Sequence, residues 1–442
     1  MLRILVITYY FPPAGGGGVQ RVLSWCRHLP QHGIEVTIAA PEEPRWVDVD
    51  PTLVVPVSTT VIRTPDPSPA AVIPREELAK LTGVRRLLRR LALQPRRLAV
   101  PDIHRRWRRP AVRAILEQAR AAGGAPWDIV ISSSPPETTH LIARDVARKL
   151  DIPWVADFRD SWLDLPHLRM DRLDVRLKHA VNARLARATL RHAAAITTVS
   201  EPLAADLRAR HSGLDVHVLE NGVEFEAVRR AQQRSDGFRD RGRFVVAYTG
   251  NFFGLQSPAA FLDAVELASD RDRAFADDLL VRFVGGLKPA DRARIDASAR
   301  LRGVTELAGF LRHDDVLATQ HAADLLLLYV APGRGSQGIY TGKVFEYVAA
   351  RRPVLAQAPS DNVASALLER AGLTTAPGAR VDPHDVPGTA DALLAAWSAW
   401  RAADGANGGR TPDVEITQDV LDSVSRERVA RRLADLLTHL RD

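Results

Sequence analysis

The chain contains 442 residues, 46% of them apolar and 26% charged, ordinary values for a globular protein that exclude disorder and fibrous repeats. This length is enough for two or three domains, each with its own hydrophobic core. The net charge of +7 indicates an anionic partner, and the single cysteine, Cys26, excludes a disulfide framework and a cysteine-based zinc site. The single cysteine also indicates a reducing compartment, and no apolar run reaches the ~20 residues of a membrane helix. We therefore expect a cytoplasmic protein, or one bound peripherally to the inner face of a membrane.

Short runs of valine, isoleucine and leucine alternate with amphipathic stretches along almost the whole chain, which predicts strand–helix–strand units around parallel sheets. In the first half, strands are predicted at residues 3–8, 35–39, 129–132, 154–157, 195–199 and 216–219. The helices predicted between them include residues 19–31, 138–150, 171–192 and 201–210. Residues 41–74, rich in proline, aspartate and valine, are expected to form irregular strands and loops.

The same rhythm restarts in the second half, with strands predicted at residues 244–249, 280–284, 325–330 and 353–357. Predicted helices there are residues 259–268, 290–300, 343–350 and 362–371. A flexible connection is expected at residues 402–412, before a last amphipathic helix at residues 425–440. We therefore predict a doubly wound α/β domain over residues 1–222, a linker over 223–243, a second such domain over 244–412 and a closing segment over 413–442.

A run of four glycines lies between the first predicted strand and the first helix. Glycines at this point allow a ligand to approach the backbone, and the following helix start offers free N–H groups to an anion. We therefore predict contact with a phosphate or a substrate, the alternative being a plain flexible turn. The run is not a dinucleotide fingerprint, because Gln20 stands where the third glycine would be. The predicted residues of this loop are Gly15, Gly16, Gly17, Gly18 and Gln20.

A second motif runs from Gly338 into the helix predicted at residues 343–350. Lys343 would lie in the first turn of this helix, where a cation is unfavourable unless an anion binds the same end. Glu346 would lie one turn along, in a position to accept hydrogen bonds from ribose hydroxyls. The motif follows the carboxyl end of a strand, which favours a ligand site over the alternative of a capped surface helix with a Lys–Glu pair.

Two carboxylates flank an arginine at the carboxyl end of the strand predicted at residues 154–157. Asp157, Arg159 and Asp160 suit hydrogen bonding to sugar hydroxyls or proton transfer, so we predict a catalytic role for them. A structural network of salt bridges is the alternative. The hydroxyls of Ser133 and Ser134 are predicted at the same edge, one strand earlier.

Between Lys80 and Arg113 the sequence holds 12 basic residues and one acidic residue, Asp102. Residues 84–91 alternate arginine and leucine pairs at helical spacing, which is typical of an amphipathic basic helix. The segment is either a solvated face of its own domain, or a patch that binds anionic lipid or guides a phosphorylated lipid acceptor. Trp107 is the only Phe, Tyr or Trp in this segment, so the segment lacks the aromatic series on which bases would stack. We therefore expect no nucleic-acid partner.

Taken in order, several motifs resemble those of glycosyltransferase family 4. They are the PPxxGGG loop after the first strand, VADFRDSW, TTVSEPLAADL, Asn221-Gly222-Val223, YTGNFFGLQSP, FVGG, ELAGFLRHDDV and YTGKVFEYVAARRPVLA. The resemblance implies the GT-B fold, in which two Rossmann-like domains face each other across a cleft and a C-terminal helix returns to the first domain. It also implies sugar transfer with retention from a nucleoside diphosphate sugar, without a metal or other cofactor, to a saccharide, lipid-linked or small-molecule acceptor.

By position, the resemblance assigns donor contacts mostly to the second domain. Glu346 matches the ribose-binding glutamate of the family, while two loops match the segments that contact the diphosphate and the base. The residues implied in donor binding are Gly250, Asn251, Phe252, Gly285, Gly309, Phe310, Leu311, Ile339, Tyr340, Thr341, Gly342, Lys343 and Glu346.

The chain departs from the family pattern at two positions. Gly338 stands where the first of two glutamates is expected, and no lysine follows Gly254. We hypothesise that Lys343 supplies the missing positive charge and acts in catalysis.

Several alternatives remain open on the sequence alone. The leading prediction is a glycosyltransferase of cell-envelope polysaccharide or glycolipid synthesis. The other predictions are a natural-product glycosyltransferase, a pseudo-glycosyltransferase and a nucleotide-sugar 2-epimerase of the same fold. A non-catalytic protein that binds nucleotide-sugar or nucleic acid is the last.

Overall fold

The structure, a computed structural model, describes residues 1–42, 49–51, 53–68, 99–164, 170–252, 256–333, 335–407 and 410–441. The chain divides into two compact units. The first comprises residues 1–220 and 429–442, and the second comprises residues 221–428. The second unit therefore includes the predicted linker, residues 223–243, and the first part of the predicted closing segment.

A seven-stranded sheet of parallel strands forms the centre of the first unit, in the order β3-β2-β1-β4-β5-β6-β7. The order reverses between β1 and β4, which creates the crevice where ligands of doubly wound sheets bind. The strands are β1 (Leu2–Thr8), β2 (Ile34–Pro41), β3 (Thr60–Thr64), β4 (Ile129–Ser134), β5 (Trp154–Phe158), β6 (Ala195–Thr198) and β7 (Val216–Val218). The helices are α1 (Gly17–His28), α2 (Arg108–Ala121), α3 (Thr138–Leu150), α4 (Leu173–Leu190) and α5 (Glu201–Arg210).

A six-stranded parallel sheet forms the centre of the second unit, in the order β10-β9-β8-β11-β12-β13. Its strands are β8 (Phe244–Thr249), β9 (Leu279–Val284), β10 (Thr305–Gly309), β11 (Leu325–Tyr329), β12 (Val354–Gln357) and β13 (Ala379–Val381). The order reverses between β8 and β11, so a second ligand crevice is expected at the carboxyl ends of these two strands.

The helices of the second unit cover both faces of its sheet. They are α6 (Phe225–Arg234), α7 (Ala259–Arg271), α8 (Arg273–Asp278), α9 (Pro289–Ala297), α10 (Ala299–Val304), α11 (His313–Ala322), α12 (Lys343–Ala350), α13 (Val363–Arg370), α14 (Val386–Asn407) and α15 (Gln418–Ser423). The last helix, α16 (Arg426–Arg441), returns the chain to the first unit at Val429.

Alternate residues of β1 face two separate cores of the first unit. Leu5 and Ile7 pack among residues of α2 to α5, whereas Ile4 and Val6 pack among residues of α1 and α16. Leu433 and Leu437 of α16 lie in that second core, because its apolar positions recur at helical spacing. Burial on both faces explains why the strands read as nearly continuous apolar runs.

The doubly wound, two-domain α/β class predicted from the sequence is confirmed. Residues 402–407 correct one expectation, because they continue α14 to Asn407 and are not a flexible connection. The helix predicted at residues 290–300 is divided into α9 and α10, since Ser298 between them caps α10 through its hydroxyl. None of the described helices is long and apolar enough to cross a membrane.

Candidate functional site

Two glycine loops meet at the carboxyl ends of β8 and β9 in the second unit. Gly250 has φ +128°, and its N–H donates to the carbonyl of Val284 over 2.8 Å. Gly285 has φ +113°, and a Cβ added to it would lie 2.3 Å from the carbonyl oxygen of Gly250. The side chain of Asn251 accepts a hydrogen bond from the N–H of Gly286 over 2.6 Å. Glycine is therefore required at both loops, which expose backbone to an approaching ligand.

Lys343, the first residue of α12, reaches these loops. Its Nζ lies 3.6 Å from the centroid of the Tyr248 ring, and a Cβ on Gly250 would lie 2.9 Å from Nζ. Burial lowers the pKa of Lys343 to about 7, although the nearby carboxylate of Glu346 raises it. The second unit thus places beside the Gly250 loop an amine that gains or loses its proton near neutral pH.

Glu346 lies one turn further along α12 and is held by a side-chain amide. Nε2 of Gln320 donates to Glu346 Oε2 over 2.8 Å and to the hydroxyl of Thr249 over 2.9 Å. Nε2 of His313 lies 3.9 Å from Oε1 of Glu346. The carboxylate is 17% exposed, so it is oriented from one side while part of it stays open to a ligand.

The side chain of Asn362 holds the loop before α12 in place through hydrogen bonds. The amide of Asn362 donates to the carbonyls of Ser336 (2.5 Å) and Ile339 (3.2 Å). Next along the loop, the ring of Tyr340 packs 5.0 Å from that of Phe345. Of the remaining predicted residues, Gly342 is the N-cap of α12, and the buried hydroxyl of Thr341 has no hydrogen-bond partner within the described part of the chain.

An exposed aromatic ring borders the same loops. Phe310 is 73% exposed, and a Cβ on Gly286 would lie 3.6 Å from its ring. Gly309 before it has φ +69°, and its carbonyl accepts from the N–H of Gly285 over 2.7 Å. Phe252, in contrast, is buried and stacks on Tyr248 at 4.1 Å, while Leu311 is half-buried. The predicted donor residues therefore gather at one edge of the second sheet, with Phe252 beneath it.

The first unit carries the glycine loop, residues 15–18, at the carboxyl end of β1. Gly16 has φ +89° and is the N-cap of α1, which begins at Gly17. A Cβ on Gly18 would lie 2.7 Å from Nη1 of Arg159. Arg159 also donates to the carbonyls of Ser134 (3.0 Å) and Pro135 (2.8 Å), and to that of Gly18. The arginine thus ties the glycine loop to the loop after β4.

Asp157 lies at the centre of a buried network of the first unit. It pairs with Arg21 of α1 over 2.7 Å and accepts from the hydroxyls of Ser133 and Thr197, each over 2.8 Å. Burial would raise its pKa, but Arg21 and these hydrogen bonds lower it below the ordinary value.

This network has consequences for the predicted catalytic and acceptor residues. Asp157, Ser133 and Ser134 are at most 1% exposed, so the geometry lends no support to substrate contact through them. Asp160 is exposed and Gln20 partly exposed, so both are accessible. The functional assignments of Asp157, Arg159 and Asp160 stay predictions.

Sequence reasoning missed Arg21, Tyr248, Gln320 and His313. Arg21 carried one weak signal, since it lies among the apolar residues of α1 that face the core, where a lone charge needs a partner. The other three carried none. The basic helix predicted at residues 84–91 lies outside the described residues. Within the described ranges, no group of three or more His, Cys, Asp or Glu side chains is placed to hold a metal ion.

Comparison with known protein families matches slightly less than half of the chain. Residues 16–222 match the family model of the glycosyl transferase 4-like domain. This part of the chain is thus similar to the glycosyl transferase 4-like domain, in agreement with the resemblance of its motifs. No curated protein sequence matches it.

Solved structures of similar fold cover almost the entire chain. Sucrose-phosphate synthase from Thermosynechococcus elongatus is 16% identical, with a TM-score of 0.62 over 100% of this chain and 99% of that one. A UDP-forming α,α-trehalose-phosphate synthase from Burkholderia xenovorans, in complex with glucose-6-phosphate, is 11% identical, with a TM-score of 0.64 over 98% and 100%. HepE of Anabaena, in complex with UDP-glucose, is 14% identical, with a TM-score of 0.56 over 100% and 97%. At these identities the similarity establishes the two-domain fold.

Proposed function

We propose that the chain transfers a sugar from a nucleoside diphosphate sugar to an acceptor hydroxyl, with retention of configuration at the anomeric carbon. The observation that carries the proposal is the position of the Lys343 ammonium beside Gly250, at the crevice of the second sheet. A diphosphate needs positive charge and the positive end of a helix dipole, and Lys343 and the start of α12 offer both.

The bond from the anomeric carbon to the diphosphate breaks in this reaction, and its electrons leave on a phosphate oxygen. Lys343 and the start of α12 stabilise that charge, which is electrostatic catalysis. The acceptor oxygen forms the new bond on the same face, and its proton passes to the departing phosphate oxygen. Since the positive charge comes from the chain itself, we propose that no metal ion or other cofactor takes part.

The remainder of the donor is assigned to the neighbouring side chains. The carboxylate of Glu346, oriented by Gln320, accepts hydrogen bonds from the ribose hydroxyls. The base lies on the exposed ring of Phe310, since stacking of this kind contributes about 1–3 kcal/mol per base. The complex of HepE with UDP-glucose supports a uridine nucleotide as the first donor to test.

The acceptor is assigned to the carboxyl edge of the first sheet. The glycine loop and the exposed Asp160 offer N–H groups and a carboxylate to a saccharide or a small molecule. The complex of the trehalose-phosphate synthase with glucose-6-phosphate supports a saccharide acceptor. A lipid-linked saccharide of cell-envelope polysaccharide or glycolipid synthesis is the acceptor class that the basic segment at residues 80–113 favours.

A thermal-shift screen with UDP, GDP, dTDP and ADP and their sugars tests donor binding, because a ligand at a hundred times its Kd adds about 2.7 kcal/mol of stability. The stabilising donor is then incubated with saccharide acceptors, and the anomeric configuration of the product is read by NMR. A β-linked product from an α-linked donor contradicts retention, and loss of activity in EDTA contradicts metal independence. Formation of an epimer from the donor alone would identify an epimerase instead.

A further inference from the structure

Helix α4 of the first unit presents an apolar ridge to solvent. Leu173, Leu177 and Val181 are spaced four residues apart and therefore lie on one side of the helix. They are 78%, 68% and 39% exposed, respectively. Three large apolar side chains in line are more than the single exposed apolar residues that a soluble surface normally carries.

Cations surround this α4 ridge. The helix contains four basic residues and one acidic residue, Asp174, which pairs with Arg172 over 2.8 Å. The basic side chains at the exposed positions of the helix are those of Arg176, Arg184 and Arg187. An apolar strip flanked by arginines is the pattern of a helix that lies in the interface of a membrane.

A groove lined by several arginines reaches the same helix. It has a volume of about 1250 Å³ and lies between α2, α3 and α4. Its lining includes Arg105, Arg106 and Arg109. The apolar part of the lining includes Leu116 of α2, Leu141 of α3 and Leu185 of α4. Leu185 lies four residues after Val181, so it continues the line of the α4 ridge into the lining of the arginine groove.

We propose that this surface docks on an anionic lipid bilayer, with the α4 ridge in the interface and the groove arginines against lipid phosphates. The arginines complement an anionic headgroup layer, whereas they would oppose the same charges on a second copy of the chain. The biological role of this docking rests on the proposed function, because docking would bring the enzyme beside a lipid-linked acceptor. Its physical basis is independent of the donor site.

Co-sedimentation of the full chain with vesicles tests the proposal. The probes are phosphatidylcholine vesicles with and without about one third of anionic phosphatidylglycerol, at low and high salt. L173S/L177S is expected to weaken binding to anionic vesicles at least about tenfold, because the transfer of two leucine side chains from water into the lipid interface no longer contributes to binding. R176Q/R184Q is expected to weaken it about fivefold per arginine, and only at low salt.

The matched control is V54S/V57S, which removes two exposed valines that belong neither to α4 nor to the groove lining and should leave binding unchanged. Unchanged melting temperatures establish that each variant is folded. Absence of binding to anionic vesicles, equal binding to pure phosphatidylcholine, or full binding by L173S/L177S would each overturn the proposal. So would a dimer that L173S/L177S converts to a monomer, since a second copy would then occupy the ridge.

Donor binding is measured separately by thermal shift without vesicles. A chain that binds vesicles but no nucleotide refutes the proposed function and leaves the docking surface standing. A chain that binds nucleotide but no vesicle does the reverse, so the two failures are distinguishable.

Discussion

The ammonium of Lys343 lies 3.6 Å from the centroid of the Tyr248 ring. This ring is buried, stacks on Phe252 at 4.1 Å, and stays a neutral phenol because burial raises its pKa. A cation over an aromatic face gains about 0.5–2 kcal/mol, depending on its desolvation. The aromatic pair thus positions the lysine beside Gly250 before any ligand arrives, which is the preorganisation that electrostatic catalysis requires.

Lys343→Ala should therefore raise the donor KM or lower kcat by about tenfold or more, because at least about 1.4 kcal/mol of charge stabilisation is lost. Steady-state kinetics with the donor found by thermal shift measure this. The matched control is Arg401→Ala, which removes another cation above a ring, that of Trp397 at 5.3 Å. Normal kinetics in Lys343→Ala, or an equal loss in the control, would eliminate the role proposed for the lysine.

The lowered pKa of Lys343 predicts proton uptake on donor binding. At pH 8 an amine with a pKa of about 7 is mostly neutral in the free protein, and a bound diphosphate raises the pKa again. Binding should then take up close to one proton, and affinity should fall about tenfold per unit of pH above 7. Calorimetry in two buffers of different ionisation enthalpy counts the protons.

Two variants separate this lysine from other titrating groups. Lys343→Ala should bind weakly without proton uptake, and Lys343→Arg should keep a charge throughout the range and lose the pH dependence of affinity. Proton uptake that persists in both variants would assign the titration to another group.

The exposed ring of Phe310 leads us to expect that the base and the diphosphate are bound by different residues. Phe310→Ala should weaken nucleoside diphosphate binding about tenfold by removing a stacking surface, with little change in melting temperature because the ring is 73% exposed. It should not change the affinity for inorganic pyrophosphate, which has no base. Lys343→Ala, in contrast, should weaken binding of both ligands. Isothermal titrations with the two probes make the comparison, and equal losses in Phe310→Ala would place the base elsewhere.

Gly285 predicts a backbone requirement at the donor loops. Gly285→Ala forces a Cβ to within 2.3 Å of the Gly250 carbonyl at a φ of +113°, so the loops must separate. We expect a loss of about 2–4 kcal/mol in stability, together with loss of nucleotide binding. Gly303→Ala is the control, since that glycine lies in α10 with open space around its Cβ position, and it should be neutral or slightly stabilising. A Gly285→Ala protein with normal melting and binding would contradict the close approach.

The sequence predicts the central strands well because they are buried on both faces and read as unbroken apolar runs. β8, for instance, occupies residues 244–249 as predicted. It does not predict β10 and β13, which are the two edge strands of the second sheet. β10 is half-exposed along its length and β13 has three residues, so neither carries an apolar run that would distinguish it from a loop.

The sequence indicates those contacts of the candidate site whose residues are close together in the chain. It gives no sign of contacts between residues that are far apart in the chain. Lys343 and Glu346 belong to one continuous motif that follows a predicted strand, whereas Gln320 contacts Glu346 from another helix, 26 residues away in sequence. The pairing of Arg21 with Asp157 spans 136 residues, and no local pattern encodes it. Motif reasoning therefore identified Asp157 but assigned it a catalytic role without seeing the partners that occupy its oxygens.

Asp157→Asn distinguishes a positioning residue from a catalytic one. This substitution removes the carboxylate charge of a buried ion pair with Arg21, which typically costs about 3–5 kcal/mol and lowers the melting temperature of a unit of this size by roughly 10 °C. Asp160→Asn is the control, since that side chain is exposed and its loss should leave melting unchanged. Calorimetry of both variants makes the measurement.

The pH dependence of stability provides the second readout for Asp157. Its pKa is lowered in the folded chain, so its stabilising effect is complete above the ordinary carboxyl pKa of about 4 and is lost as the pH falls further. The wild type should therefore lose stability more steeply than Asp157→Asn in acid, because the amide does not titrate. If Asp157→Asn instead melts like the wild type and loses kcat a hundredfold, the carboxylate contacts substrate, and the buried network around Arg21 does not describe the active state.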